Sequence, residues 1–226
     1  MLHTFNWKRE GASYELSNLT AADILKKWML FDTKLEGDFF KMKNGGSLLY
    51  GYVLPKDKDI EKIRPIVSYA GHPWKHVLNL VTRVIMFLMW KAKVDNVLWG
   101  TMDLKEAVKQ VEDWASEKNE VVLMLVGDIK SMYTVLSHVV ILKALDWLVD
   151  QVKEKVRGCR YVRARIRGRG GVSFGSSVDQ SRFAEIRLKN ISKIVQFNLL
   201  NSFVGLGDIV VRQTWGIPMS RYGTLS

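Results

Sequence analysis

The stretch "YGYVLPKDKDIEKIRPIVS", residues 50–68, decides the fold. Two short apolar segments flank a charged turn, which is the pattern of a β-hairpin. Pro55 and Pro65 lack the backbone N–H that a central strand needs, so they place the hairpin at the edge of a sheet. The chain is therefore expected to contain an antiparallel sheet as well as helices.

Length and composition indicate a folded intracellular protein. The chain has 226 residues, of which 47% are hydrophobic and 11% aromatic, enough to bury a core. Its single cysteine, Cys159, excludes an internal disulfide. The N-terminus has no signal-peptide pattern. The longest apolar stretch, residues 77–90, is interrupted by Asn79 and Arg83 and is too short to span a membrane, so a buried helix is favoured over membrane contact.

The basic residues are concentrated in one segment. The net charge of +11 favours a polyanionic partner, and residues 153–169 hold eight basic residues and one acid. Within this segment Arg163, Arg165 and Arg167 alternate with apolar residues, and a period of two puts three guanidinium groups on one face of a strand. Such a face suits a phosphate backbone. The alternative is an edge strand whose solvated charges prevent it from pairing with another chain.

Hydrophobic periodicity predicts the remaining elements. Helices are expected over residues 19–30, 77–90, 103–114, 137–152 and 182–201, with Asp103 and Glu106 at the spacing of a capping box. Strands are expected over residues 121–126, where an apolar run indicates burial, and on both sides of a turn at residues 205–208. No repeat and no linker divides the chain into independent domains.

Asp128 follows the expected buried strand at its carboxyl end, directly after Gly127. An acid at such a place is either solvated or held there for chemistry. Helix, strand and helix in succession make an α/β layer, whose best site lies at the carboxyl end of the strand. The four histidines and one cysteine do not have zinc-finger spacing. Asp128 is therefore the first candidate for chemistry.

Three strings resemble motifs of reverse transcriptases, particularly of the Penelope-like and telomerase-like branch. "YVLPK" and "KIRPIVS" in the hairpin resemble the two strands of the fingers, "DIKSMYT" from residue 128 resembles motif A, and "RQTWGIPMS" from residue 212 resembles motif B. They occur in the family's order across residues 48–219. After "GIPM" the family usually has glycine and then serine, whereas this chain has Ser220 and Arg221.

The resemblance implies a set of site residues. Asp128, with the peptide oxygen of Ile129, would bind catalytic Mg²⁺, a metal that prefers oxygen ligands. Tyr133 would lie beneath the sugar of the incoming nucleotide and reject a 2′-hydroxyl; the alternative is a plain core residue. The other nucleotide-binding residues that the resemblance implies are Lys56, Lys62, Arg64, Gln213 and Gly216.

The resemblance also implies a fold and partners. The fold would be α+β: the fingers and part of the palm of a polymerase, with an incomplete antiparallel palm sheet backed by helices. Residues 1–47 would be a helical extension, residues 48–120 the fingers and residues 121–226 a partial palm. The reaction would be RNA-templated DNA synthesis, with an RNA template, a DNA primer and deoxynucleoside triphosphates as partners, inside the cell and, for a retroelement enzyme, in the nucleus. The chain ends at Ser226, before the paired aspartates of motif C, so this chain alone is expected not to polymerise.

Two alternatives remain open. The first is a non-catalytic, basic nucleic-acid-binding remnant of a retroelement. The second is an α/β domain with a basic surface and no polymerase ancestry. Changing Arg163, Arg165 and Arg167 to Glu tests whether this strand is the nucleic-acid contact. The position of Asp128 relative to Lys56, Arg64 and Gln213 tests the second alternative, because polymerase ancestry would bring these residues around one cleft.

Overall fold

The computed structural model describes residues 13–32, 46–56, 59–94, 100–127, 132–168, 171–176 and 179–218. The strands are β1 Tyr14–Leu16, β2 Leu49–Lys56, β3 Asp59–Ser68, β4 Tyr161–Arg165, β5 Val172–Phe174, β6 Phe183–Arg187, β7 Phe203–Leu206 and β8 Ile209–Gln213. The helices are α1 Ala21–Asp32, α2 Lys75–Ala92, α3 Thr101–Lys118, α4 Met132–Val135, α5 His138–Lys155 and α6 Leu188–Leu200. The predicted α+β class is confirmed. None of the described helices is long and apolar enough to cross a membrane.

The chain forms two compact units, one of residues 1–92 and 131–226 and one of residues 93–130. The first unit contains a five-stranded sheet of order β1-β8-β7-β2-β3. Its pairings are antiparallel except between β2 and β7, which run parallel, so the sheet is mixed. This sheet joins the predicted fingers hairpin to the strands before the predicted motif B. The predicted division into helical extension, fingers and partial palm stays a prediction.

The predicted hairpin is confirmed. Strands β2 and β3 pair in register from Tyr50 with Ser68 to Pro55 with Ile63, and a shift in register follows Pro55. Strand β3 is an edge of the sheet, as its proline indicates. The register puts Tyr52 and Arg64 on the same face, about 7 Å apart along the strands, because they lie on paired positions two residues apart.

A second sheet has the order β5-β4-β6, and both pairings are antiparallel. Its inner face is apolar: Val162, Ala164 and Ile186 are fully buried. The rings of Phe174 and Phe87 lie 5.0 Å apart, which fixes this face against α2. The outer face carries the charged side chains of β4 and β6.

Helix α1 is anchored at an aromatic cluster beside α2 and α6. Trp28 is buried, and its ring lies 5.2 Å from that of Trp74 and 4.7 Å from that of Phe197. Phe31 stacks on Phe197 at 3.8 Å. At the other end of α1, the Asp23 carboxylate accepts a hydrogen bond from the backbone N–H of residue 20, which caps the helix. Burial of these large rings is a main source of stability for this part of the unit.

Two sequence predictions about helices need correction. The predicted helix over residues 182–201 is wrong at its start, because residues 183–187 form strand β6 and the helix begins at Leu188. The alternation of buried Ala184 and Ile186 with partly exposed neighbours is strand-like, and it overrides the helical pattern. The predicted capping box at Asp103 is also wrong. Helix α3 begins at Thr101 after Gly100, which has no side chain to cap it.

The predicted buried strand over residues 121–126 is wrong. These residues lie in the second compact unit, have no regular secondary structure, and are exposed, with Val121 at 97% and Val126 at 88%. Helix α3, in the same unit, has no buried residue. An apolar run forms a buried strand only where other elements cover it. The described part of this unit offers no sheet for it to join.

Candidate functional site

The end of the predicted motif A and the residues after it contact the predicted motif B through hydrogen bonds. The N–H of Gly216 donates to the carbonyl oxygen of Leu136 at 2.7 Å, and the N–H of Ile217 donates to that of Tyr133 at 2.8 Å. The Nε2–H of His138 donates to the carbonyl oxygen of Gly216 at 2.8 Å. These bonds bring Tyr133 and Gly216, two predicted nucleotide-binding residues, to one place in the fold.

Gly216 adopts a backbone conformation that favours glycine. Its φ angle is +74°, which lies in the left-handed region. Its N–H and its carbonyl oxygen both form hydrogen bonds to the 136–138 segment. The glycine therefore fixes the tight turn that holds residues 213–218 against the start of α5. A direct contact between Gly216 and a nucleotide stays a prediction.

Gln213 lies at the end of β8 with a side chain only 1% exposed. Its Nε2 donates to the carbonyl oxygen of Trp215 at 2.8 Å. Its Oε1 is buried and has no hydrogen-bond donor among the described residues. In this arrangement Gln213 stabilises the turn before Gly216, and its predicted nucleotide contact stays a prediction.

A cleft of about 290 Å³ lies between the hairpin, three helices and the residues that follow Gly216. Tyr52 and Ser68 line it from the hairpin, and Ile217 and Pro218 line it from the predicted motif B. Helix α2 and the turn before it, with α5 and α6, provide the rest of its walls, including Tyr69, Lys75, Asn79, Ile141 and Asn198. Its volume is at the lower end of the range for small-molecule sites. The structure thus brings the hairpin and the predicted motif B to one cleft.

The cleft is nearly neutral. Lys75 is its one charged lining residue among the described residues, and no acid lines it. Burial raises the pKa of Tyr69 to about 12, so its hydroxyl stays protonated and able to donate at neutral pH. A base or a sugar suits these walls better than a phosphate chain does, since they are mostly apolar with a few hydroxyl and amide groups.

The hairpin places one predicted cation close to this cleft. Arg64 is exposed and shares a face of the hairpin with Tyr52 and Ser68, which line the cleft. A guanidinium there is suited to a triphosphate that projects from the cleft toward the hairpin tip. Lys56 lies in β2 at the register shift and Lys62 lies in β3, but their side chains fall outside what the structure describes.

The predicted metal ligands Asp128 and Ile129 lie outside the described residues. Within the described part of the chain, no group of three or more His, Cys, Asp or Glu side chains could hold a metal ion. The Mg²⁺ site therefore stays a prediction, and the position of Asp128 leaves polymerase ancestry untested.

Only part of the predicted basic face lies on a strand. Arg163 and Arg165 lie on β4 and alternate with buried Val162 and Ala164, as the period of two predicts. Arg167 is exposed but lies beyond the end of β4. The Nε of Arg163 donates to the hydroxyl of Ser173 at 2.6 Å, and its guanidinium lies 5.7 Å from the ring of Phe183.

Sequence reasoning missed the lining residues that come from helices. Asn79 on α2 and Asn198 on α6 line the cleft, yet both occur within amphipathic helical patterns that indicate only packing. It also missed Arg187 on β6, whose guanidinium lies over the ring of Tyr161 at 5.7 Å. The period-two alternation of residues 183–187 was the signal that could have placed Arg187 on the same face as Arg163.

The fold is similar to that of a solved structure, telomerase from Candida tropicalis in complex with a TWJ fragment of telomeric RNA. The TM-score is 0.51 at 11% sequence identity. The likeness covers 88% of this chain, which spans about a third (33%) of the telomerase chain it matches. No protein-family model and no curated protein matches the sequence. At this identity the likeness concerns the fold alone, and it is consistent with a partial polymerase-like architecture.

Proposed function

We propose that this chain is the fingers-palm part of a reverse transcriptase, which binds an RNA template paired with a DNA primer and receives an incoming deoxynucleoside triphosphate in the cleft. The observation that carries this proposal is the cleft itself. Its walls come from the hairpin and from the residues after Gly216, the two strings that resemble nucleotide-binding motifs of that family. The likeness of fold to telomerase supports the same assignment.

Each part of the site has a role in the proposal. The base and sugar of the nucleotide would lie in the cleft beside Tyr52, with the triphosphate toward Arg64, Lys56 and Lys62. Tyr133 would lie under the sugar. Gln213 would support Tyr133 through the turn at Gly216. Asp128 and the peptide oxygen of Ile129 would bind Mg²⁺, which supplies charge stabilisation for nucleotidyl transfer when bound. Arg163, Arg165 and Arg167 would contact the phosphate backbone of the duplex.

A binding measurement tests the duplex part of the proposal. We expect an RNA–DNA duplex with a fluorescent label to bind the chain at low salt, as measured by anisotropy. Arg163→Glu/Arg165→Glu/Arg167→Glu should weaken binding by at least about tenfold, because three cations would no longer neutralise phosphates of the duplex. Lys26→Glu/Lys109→Glu/Lys193→Glu, with the same change of charge at exposed helical positions, is the matched control. Equally weakened binding in the two triple variants would contradict a defined contact face.

A second candidate function, a non-catalytic nucleic-acid-binding remnant, is favoured by one observation. The basic face of β4 is formed by described residues without any help from the predicted metal site. This candidate predicts duplex binding with no deoxynucleotide specificity. A nucleotide titration of the duplex complex therefore separates the two: saturable binding of deoxynucleoside triphosphates, weakened by Arg64→Ala, supports the polymerase proposal.

A further inference from the structure

A second pocket, of about 380 Å³, lies at the end of the three-stranded sheet. It is formed where α5 leads into β4 and where β6 leads into α6. Four of its seven lining residues are cations: Lys153, Arg160, Arg187 and Lys189. No acid lines it. The cleft described above has one cation among sixteen lining residues, so the high net charge of the chain does not by itself explain this concentration.

The four cations differ in how they are held. Lys153 forms an ion pair with Asp150 at 2.8 Å on the surface of α5. Arg187 is oriented by the ring of Tyr161 beneath its guanidinium. Within the part of the chain that the structure describes, the side chains of Arg160 and Lys189 form no ion pair. The pocket therefore has an excess of positive charge that protein carboxylates do not neutralise.

Hydrogen bonds link the segments around the pocket. The N–H of Leu188 donates to the carbonyl oxygen of Arg160 at 3.0 Å, which links the start of α6 to the start of β4. The thiol of Cys159 donates to the carbonyl oxygen of Tyr161 at 3.1 Å. Lys189 lies in the first turn of α6, which has no acidic residue, although the positive end of a helix dipole favours acids there. An anion bound between these cations would relieve their mutual repulsion.

We propose that this pocket binds a phosphate group, held between Arg160 and Lys189 with Arg187 and Lys153 beside it. The favoured source is the backbone of a nucleic acid, because the pocket borders the outer face of β4, where Arg163 and Arg165 outnumber Glu185, the one acid of β6. Tyr161 and Arg187, which line the pocket, are paired in the sheet, and Arg163 follows on the same face two residues along β4. A strand seated in the pocket would continue past Arg163 and Arg165. The same chemistry also suits the phosphate of a free nucleotide.

Cys159 provides a specific probe, because it is the only cysteine of the chain and it lines the pocket. The rate of its modification by a maleimide reports whether the pocket is filled. We expect inorganic phosphate to slow this reaction relative to chloride at the same ionic strength. In Arg160→Glu/Lys189→Glu, protection should require at least about tenfold more phosphate, since a charged hydrogen bond contributes enough for that factor. Both side chains are exposed, and Lys189→Glu complements the helix dipole, so we expect the fold to be kept.

Lys193→Glu is the control for a reversal of charge on α6. Residue 193 is exposed on the same helix, one turn from Lys189, and does not line the pocket. This variant should keep full protection by phosphate. Equal protection of the wild-type chain and the double variant, or no protection of the wild-type chain at any phosphate concentration, would overturn the proposal.

A single-stranded RNA in place of phosphate identifies the source. Protection by RNA at far lower concentration than by inorganic phosphate supports the backbone as ligand, whereas protection by phosphate or nucleotide alone supports the free anion. The outcome is separable from that of the proposed function. Protection of Cys159 by phosphate without duplex binding would reject the proposed function and support the phosphate site. Duplex binding without any protection of Cys159 would reject the phosphate site and support the proposed function.

Discussion

The two sheets differ in the residues on the face that is not packed in a core. In the five-stranded sheet, the hairpin strands turn Tyr52 and Ser68 toward a nearly neutral cleft closed by helices. In the three-stranded sheet, β4 and β6 leave Arg163, Arg165 and Arg187 on the outer face. Apolar burial holds both sheets, but a buried histidine lies beside the first, whereas the second presents several arginines on one face. Changes in pH should therefore act mainly on stability near the first sheet, and salt mainly on binding at the second.

The largest expected effect separates the two faces of the three-stranded sheet. Ile186 is 0% exposed on the inner face, so Ile186→Ala should reduce the free energy of unfolding by about 2–5 kcal/mol. Arg165→Ala on the outer face should change it by less than about 0.5 kcal/mol. Urea denaturation followed by circular dichroism measures both. Similar reductions in the two variants would mean that the outer face is also structural.

Acid should destabilise the region beside the first sheet. His72 is buried against Trp28, and burial lowers its pKa to about 4 from an ordinary value of 6.5. Its Nδ1 accepts a hydrogen bond from the N–H of Trp74, which requires this nitrogen to be unprotonated. The unfolded chain binds the proton more tightly. Neutral His72 therefore contributes its full stabilisation above pH 6.5, and the free energy of unfolding falls by about 3 kcal/mol as the pH drops to 4.

Denaturation at several pH values between about 4 and 7 checks this slope. His72→Asn, whose amide oxygen can accept the same hydrogen bond, should remove most of it. His76, whose pKa is lowered by partial burial and by Arg83, adds a smaller slope of the same sign. A wild-type stability that is flat across this range would contradict the burial of His72.

Each exposed arginine on or next to β4 should contribute separately to the salt dependence of duplex binding. Arg165→Ala and Arg167→Ala should each weaken duplex binding a few-fold and lower the slope of log affinity against log salt by about one. Neither change should alter the melting temperature, because both side chains are exposed. Lys26→Ala on α1 is the control, and an equal change in its slope would show that binding follows net charge rather than this face.

The turn beside the cleft should show a smaller effect on stability than Ile186 does. Gly216→Ala should destabilise the chain by about 1–2 kcal/mol, because its φ of +74° disfavours a β-carbon. Gly205→Ala is the matched control in β7. A β-carbon there would meet only the carbonyl oxygen of Leu49 at 3.7 Å, an ordinary contact. Thermal melts of the two variants compare them, and equal stability would show that the turn tolerates other residues.

The sequence predicted best those elements whose pattern is local. The hairpin was predictable because its strands, charged turn and prolines lie within nineteen residues. Residues 121–126 were not, because an apolar run carries no information about whether another element covers it. The sequence predicts a helix where β6 lies, because Phe183, Ala184 and Ile186 fit both the helical and the strand period. Only the pairing with β4 decides between the two.

The candidate site was predictable in part for the same reason. The strings around Arg64 and Gly216 carry their own signature, and the structure brings both segments to one cleft or its edge. Asn79 and Asn198 reach that cleft only through helix packing, which no local pattern shows. The basic pocket likewise joins Lys189 on α6 to Lys153 and Arg160, and only these last two belong to the basic segment of residues 153–169.

Photolabelling with an azido-deoxyadenosine triphosphate, in the presence of an RNA–DNA primer-template and Mg²⁺, tests the central claim most directly. The labelled peptide is mapped by mass spectrometry. We predict a label on residues that line the cleft, such as Tyr52 or Tyr69, and its disappearance when unlabelled deoxynucleotide competes. A label confined to the basic face of β4, or competed equally well by inorganic triphosphate, would contradict the claim that the cleft receives a nucleotide.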